Sequence, residues 1–188
     1  MAFSEQMQTL IDRRQKVLTI LWAALTFSVV PYVVVPIALS YQPGVFSPPE
    51  LPAIFRPVMI GIAGIAGALS FLLRFLLLSD RRLMNIWASD LEAKRHPRGE
   101  GDRASLEILA TLPEKELRLF SLFHPFFQAT ILRCGLADAI GIIGLLLSLL
   151  EKSVYTILPF VLISLALNAS FYPRFKDFLE IIEFRLSR

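Results

Sequence analysis

Two long stretches of this sequence carry no charged side chain, and they limit what the chain can fold into. Residues 17–39 form an uncharged run of 23 residues, and residues 154–172 form another of 19. Runs of about 18 or more such residues are typical of helices that cross a lipid bilayer. The whole chain is 55% hydrophobic and 19% charged, against about 45–50% and about 25% in soluble domains. The sequence therefore predicts an all-α membrane protein and disfavours a soluble enzyme or a nucleic-acid-binding protein.

Two further apolar stretches complete a set of four predicted transmembrane helices. The second begins at Pro57, a residue suited to the first turn of a helix. Within the first predicted helix, residues 17–39, Pro31 and Pro36 predict a bend, because proline removes a backbone hydrogen bond. This run is too long for the hydrophobic core of a signal peptide, so we interpret it as a helix that the protein retains. The predicted spans are residues 17–39, 57–78, 126–150 and 154–172, paired as two hairpins over 17–78 and 126–172.

Lysine and arginine residues predict how these spans are oriented. The arm 1–16 holds three, the loop 79–125 holds eight and the tail 173–188 holds four. The two remaining connections hold one each, Arg56 and Lys152. Because Lys and Arg accumulate in cytoplasmic segments, both termini and the long loop are predicted to be cytoplasmic. The expected location is the bacterial cytoplasmic (inner) membrane.

The long loop and the tail carry amphipathic patterns. Residues 80–94 read as an amphipathic extension of the second span, and residues 96–102 as a break in the helix. Thr111 and Glu114 have the spacing of a capping box, which predicts that a helix opens at Thr111. The tail 173–188 is expected to be an interfacial or partner-binding helix. Its apolar side comprises Phe175, Phe178, Leu179, Ile182 and Leu186.

Asp138 is the most informative single residue, because it lies near the middle of the third predicted span. An aspartate at this depth costs about 2.5–3.5 kcal/mol on insertion scales, and such residues commonly pair inside the bundle or mark a proton or ion path. One interpretation is a carboxyl group that binds protons or coordinates an ion. The other is a protonated or hydrogen-bonded structural aspartate that fixes helix pairing. The uncharged candidate partners are Ser28, Tyr32, Asn168 and Ser170.

Two arginines lie just inside the predicted cytoplasmic ends of their spans. Arg74 is in the second span and Arg133 in the third. Such side chains commonly extend to the lipid headgroups. The alternatives are a basic pocket for an anionic lipid headgroup or an ion pair with Asp138.

Small residues recur along the second and third spans. In lipid, glycine and alanine let helix backbones approach closely, so the pattern predicts tight helix–helix contacts. The glycines assigned to helix packing are Gly61, Gly64, Gly67, Gly135, Gly141 and Gly144.

No pattern of catalytic or metal-binding residues is present. Cys134 is the sole cysteine, and His96 and His124 are the two histidines, at no spacing typical of metal ligands. No nucleophile motif, zinc-hydrolase motif or phosphate-binding loop occurs. We therefore predict no enzyme activity, no cofactor and no metal site.

The third span also resembles a known family. Residues 136–145, with Asp138 among small residues followed by Gly144 and Leu145, are similar to the carboxylate helix of rotary-ATPase proteolipids. This resemblance implies that Asp138 is a proton carrier. The chain as a whole resembles small four-helix bacterial membrane proteins of unassigned function.

Three functions are compatible with these patterns. The leading hypothesis is a non-catalytic membrane subunit or assembly protein, whose partners are the lipid bilayer and other membrane subunits or further copies of itself. A homo-oligomeric proton- or ion-coupled channel or carrier using Asp138 is the first alternative. An anionic-lipid-interacting protein using Arg74 and Arg133 is the second.

Overall fold

Every regular element in the described part of the chain is a helix. The computed structural model describes residues 3–41, 52–88 and 108–186, apart from the side chains at 74, 80, 82, 185 and 186. Residues 108–111 are helical in addition to the elements named next. The helices are α1 (Glu5–Phe27), α2 (Val29–Ser40), α3 (Phe55–Leu77), α4 (Asp80–Ala88), α5 (Glu114–Ser121), α6 (Phe123–Glu151), α7 (Val154–Ser170) and α8 (Phe175–Leu186).

The described helices provide three to four candidate membrane spans. Three stretches are long and apolar enough to cross a bilayer: Glu5–Ser40, Phe55–Leu77 and Glu114–Glu151. Val154–Ser170 and Phe175–Phe184 together make a fourth if this bent pair counts as one span. The prediction of an all-helical membrane-embedded chain is therefore confirmed at this level.

The first apolar run is interrupted at Ser28, where α1 ends and α2 begins. Pro31 explains this position, because in a continuous helix its nitrogen would bond to the carbonyl of Phe27 four residues earlier. Proline has no N–H to offer, and its ring crowds that carbonyl. Pro36 is accommodated inside α2.

The predicted capping box at Thr111 is wrong. Pro113, not Thr111, is the N-cap residue of α5, and no side chain caps that helix. The Thr111 hydroxyl instead donates to the carbonyl of Ile108 at 2.9 Å, within the preceding helical turn. Of the amphipathic helix predicted over 80–94, α4 accounts for residues up to Ala88. The rest of it, and the predicted break at 96–102, lie outside the described residues.

The chain divides into two compact units. The first, which we call the flanking unit, comprises the described residues within Met1–Ile20, Leu76–Ala129 and Pro173–Arg188. Its core is formed by one face of α1, residues 108–112, α5 and α8. Phe175 and Leu179 of α8 are fully buried there. The Phe175 ring packs edge-on against the Phe123 ring, with 5.1 Å between the ring centroids. The interpretation of the tail as a partner-binding face is therefore not supported for these residues, because the chain itself buries them.

The second unit, which we call the span bundle, comprises the described residues within Leu21–Phe75 and Thr130–Tyr172. Ala63 and Ala66 of α3 are buried in one core with α6 residues such as Ala137 and Ile140. A second core joins α2 to α7, with Val29, Ile157 and Val161 at its centre.

The connection between α6 and α7 is very short. It is made by Lys152 and Ser153, and Lys152 has a φ of 51°. This left-handed conformation, which non-glycine residues seldom adopt, reverses the chain. The Ser148 hydroxyl donates to the carbonyl of Ser153 at 2.9 Å and closes the turn. Helices α6 and α7 consequently pack against each other in opposite directions.

Candidate functional site

Asp138 is held by two hydroxyl groups inside the span bundle. The Ser28 oxygen lies 2.7 Å from Oδ1, and the Tyr32 hydroxyl donates to Oδ2 at 3.1 Å. Ser28 and Tyr32 lie four residues apart, which brings their side chains to the same side of the helical stretch. The structure thus brings together three of the residues that the sequence indicated for this site. Both of these partners of Asp138 are uncharged hydroxyl groups.

The Ser28 hydroxyl also links this network to the helix backbone. Its oxygen lies 2.5 Å from the carbonyl of Leu25 and 2.7 Å from Asp138 Oδ1. A hydroxyl group carries one proton, which two acceptors can share. Ser28 is therefore held between the backbone of α1 and the carboxyl group.

Two further polar side chains of the span bundle are fully buried without a hydrogen-bond partner. Ser164 and Asn168, one helical turn apart on α7, each have 0% exposure. The Ser164 Oγ and both polar atoms of the Asn168 side chain make no hydrogen bond to the described chain. A buried polar group left unpaired costs about 1–3 kcal/mol. The backbone carbonyl of Asn168, by contrast, accepts a hydrogen bond of 2.8 Å from Trp22 Nε1.

The register between α6 and α7 places these side chains at the depth of Asp138. Gly144 faces Phe160, and a Cβ built on Gly141 would lie 3.7 Å from Ser164 Oγ. Since the helices run in opposite directions, Asn168, four residues after Ser164, lies level with the residue four before Gly141. That residue is Ala137, the neighbour of Asp138. Asn168 thus shares the level of the carboxyl network, although no hydrogen bond joins them.

The Arg133 guanidinium is engaged within the span bundle. Its Nε donates to the carbonyl of Ser70 on α3 at 3.0 Å, and its Cζ lies 3.7 Å from the ring centroid of Phe171. Arg133 therefore connects α6 to α3 and to the residue that ends α7. The side chain of Arg74 lies outside the described part, so the lipid-headgroup interpretation of this pair stays a prediction.

The six glycines assigned to packing divide into two groups. A Cβ built on Gly144 would overlap Phe160, and one on Gly141 would lie 3.1 Å from the Tyr32 ring, so both mark close helix contacts. Gly67 has Ile140 at 3.7 Å from its built Cβ. The other three have no atom of the described chain within 4 Å of a built Cβ: Gly61, Gly64 and Gly135. Within the described chain no helix packs on Gly61 or Gly64, because α3 turns Ala63, Ala66 and Ser70 inward, so the packing role assigned to these two glycines stays a prediction.

An apolar groove of about 600 Å³ runs between α3 and α7. Gly64, Gly67 and Ala63 line it on the α3 side, and Phe160 and Ile163 line it on the α7 side. One end is polar, since Arg56 pairs with Glu151 at 3.3 Å and Thr156 donates to the same carboxylate at 2.8 Å.

Sequence analysis did not identify Ser164 or Ser70 as part of this interior. Ser164 is a single serine within an apolar run, which is no distinctive pattern. Ser70 acts through its backbone carbonyl, which accepts from Arg133, and a backbone group leaves no signal in the sequence.

Cys134 is buried and forms no disulfide, one turn before Asp138. No group of three His, Cys, Asp or Glu side chains suited to a metal ion occurs among the described residues. No family model, curated protein or solved structure matches this chain.

Proposed function

We propose that this chain is a non-catalytic integral membrane subunit, or an assembly protein, of a larger membrane complex. In this proposal it crosses the membrane four times as two hairpins, with both termini and the 79–125 segment in the cytoplasm. The occupant of its outer surface is a transmembrane helix of a different subunit, packed on α3.

The observation that supports this proposal is the small-residue face of α3 that the chain itself leaves uncovered. Gly61 and Gly64 are exposed, and no described atom of another part of the chain lies within 4 Å of a Cβ built on either of them. Glycine lets two helix backbones approach closely, which is how helices associate in lipid without a hydrophobic driving force. Gly64 also lines the α3–α7 groove, so a helix on this face would find a recess beside it. Exposed aliphatic side chains such as Ile65 flank the same face.

The test is native mass spectrometry of the tagged protein, extracted from its own membrane in mild detergent, with and without substitutions in this face. We expect stoichiometric foreign subunits with the wild-type chain. The double variant Gly61→Leu, Gly64→Leu should lose them, because two leucine side chains hold the backbones apart. Neither substitution meets a described atom of its own chain within 4 Å of the new Cβ, so the isolated fold is expected to persist.

Gly135→Leu is the matched control, because it places the same side chain at another exposed glycine with open space around it. It should retain the foreign subunits. A wild-type chain that is purely homo-oligomeric, or an equal loss of subunits in all variants, would contradict the assembly proposal.

The proposed topology has its own test. Single cysteines introduced into a Cys134→Ala background at Thr9 and Lys176 should react with membrane-impermeant thiol reagents only after the inner face is exposed. A cysteine at Lys152 should react in intact cells, because the α6–α7 turn is proposed to face outward. Reaction of Lys152→Cys and Lys176→Cys from the same side would refute two hairpins with cytoplasmic termini.

A second candidate function is favoured by the carboxyl network itself. A homo-oligomeric proton- or ion-coupled channel or carrier would use Asp138, a carboxyl group to which Ser28 and Tyr32 donate hydrogen bonds inside the span bundle. This is the role that resemblance to proteolipids implies. Proton flux in liposomes that is lost in Asp138→Asn would support it, whereas flux equal to that of empty liposomes would exclude it.

A further inference from the structure

The fully buried polar atoms of α7 indicate a ligand inside the span bundle. Ser164 Oγ, Asn168 Oδ1 and Asn168 Nδ2 all lack a hydrogen-bond partner in the described chain, although both residues have 0% exposure. In membrane proteins such groups must be satisfied internally, because the bilayer core offers no bulk water. Their complete burial also means that a partner helix on the outside of the bundle could not reach them.

The chemistry of the three atoms defines the kind of ligand. The Asn168 side chain presents an unpaired acceptor oxygen and an unpaired amide nitrogen with two N–H donors, and the Ser164 hydroxyl can act as donor or acceptor. A cation would be bound by the oxygens but repelled by the amide N–H groups. A small molecule that both donates and accepts hydrogen bonds satisfies all three atoms, and water is such a molecule.

We infer that the span bundle binds internal water between Ser164 and Asn168, at the level of the Asp138 carboxyl. The α6–α7 register places Asn168 opposite Ala137, and Ser164 lies beside Gly141 next to the Tyr32 ring. The Ser164 hydroxyl oxygen and the edge of the Tyr32 ring thus both lie within 4 Å of the point that a side chain at position 141 would occupy. The bound water extends the polar network of Ser28, Tyr32 and Asp138 to α7. This inference does not depend on which partner covers α3.

Radiolytic hydroxyl labelling in lipid nanodiscs with ¹⁸O water tests the inference, because internal water generates radicals beside the residues it contacts. The reporters are Tyr32, which lies with Ser164 around Gly141, and Trp22, which donates to the Asn168 carbonyl. Each reporter is compared with itself in the variants described next, because aromatic rings react with hydroxyl radicals faster than aliphatic side chains whatever the water content. Ile142, an exposed aliphatic residue of α6, measures the radical dose. We expect both reporters to be labelled several-fold faster, relative to Ile142, in the wild-type chain than in a variant that lacks the hydrogen-bonding atoms.

Substitution distinguishes bound water from general leakiness. Ser164→Ala and Asn168→Leu remove the hydrogen-bonding atoms, and leucine keeps the branching and the number of heavy atoms of asparagine. Tyr32 labelling relative to Ile142 should therefore fall several-fold in the double variant. Ser164→Ala alone, the milder change, should reduce Tyr32 labelling partially and serves if the double variant fails to fold. The absence of Tyr32 labelling in the wild-type chain, or Tyr32 labelling relative to Ile142 that is the same in folded variants, would overturn the inference.

Sodium dependence separates water from a bound cation. Thermal unfolding of the wild-type protein in sodium chloride and in choline chloride should give the same midpoint. A midpoint raised by sodium, and no longer raised in Ser164→Ala, would overturn the assignment of water and identify a cation site instead.

Discussion

The contact between α6 and α7 at Gly144 permits a quantitative test of how the span bundle is packed. A Cβ built on Gly144 would overlap the Cβ of Phe160 and lie 2.8 Å from its Cγ. The Phe160 Cβ is fixed to its backbone, so rotation of the ring cannot relieve the overlap and the two helices must separate. Overpacking of this kind typically costs about 1–3 kcal/mol.

The matched variant is Gly135→Ala on the same helix. No described atom lies within 4 Å of its built Cβ, so only the gain in helix propensity, about 1 kcal/mol at most, is expected there. Gly144→Ala receives the same gain, and the difference between the two variants therefore isolates the steric term. We expect Gly144→Ala to be less stable than Gly135→Ala by about 1–3 kcal/mol, which is about five- to 150-fold in the unfolding equilibrium.

Gly141→Ala completes the series. Its built Cβ would lie 3.1 Å from Cδ2 of Tyr32, a ring atom that can move by a few tenths of an ångström. Its stability should lie between those of the other two variants. The measurement is equilibrium unfolding in mixed detergent micelles, followed by far-ultraviolet circular dichroism. Equal stability of the three variants, or Gly144→Ala as the most stable, would refute the described α6–α7 packing.

Two further predictions use the same unfolding assay. Asp138→Asn retains hydrogen-bonding atoms for Tyr32 and Ser28, so it should be more stable than Asp138→Leu by about 1–3 kcal/mol, since leucine offers Tyr32 no acceptor and leaves Ser28 only its bond to the carbonyl of Leu25; equal stability would show that the hydrogen bonds to residue 138 do not form. Arg133→Lys should lose about 1–3 kcal/mol, because lysine lacks the planar group that stacks on Phe171 and the N–H that binds α3. Unchanged stability of Arg133→Lys would mean that the side chain extends to lipid headgroups instead.

The location of the helices follows closely from the sequence, for a physical reason. In lipid, a polypeptide must satisfy its backbone hydrogen bonds internally, so long uncharged runs become helices almost regardless of neighbouring residues. The interruption at Ser28 follows from Pro31 by the same reasoning. The failure at Thr111 has a different cause, because a capping-box spacing is short and occurs by chance. Only the backbone conformation determines that Pro113, two residues later, is the N-cap of α5.

The candidate site was only partly predictable. Asp138 was conspicuous, because a carboxyl group in an apolar helix needs a partner, and Ser28 and Tyr32 were among the few polar side chains at a comparable depth. Which of them would bind depended on helix rotation, and periodicity alone does not give rotation between helices. Ser164 was missed because a serine in an apolar run is commonly satisfied by its own helix backbone. In the structure the Ser164 hydroxyl makes no such bond to its helix, and this is why the residue matters for the site.

The buried polar atoms and the exposed glycines differ in whether their contacts must be made within the folded chain itself. An unpaired polar atom in the bundle interior raises the free energy of the folded chain, so Asp138 and Asn168 must find partners within the fold or in trapped water. An exposed glycine face has no such requirement, because lipid chains cover it at little cost, and Gly61 can therefore remain uncovered until another helix arrives. Substitutions at Asn168 should accordingly change the stability of the isolated chain. Substitutions at Gly61 should change what copurifies with the chain and should not lower that stability, since the only expected effect on it is a gain in helix propensity of about 1 kcal/mol at most. The two kinds of site can therefore be separated by measuring both quantities on the same variants.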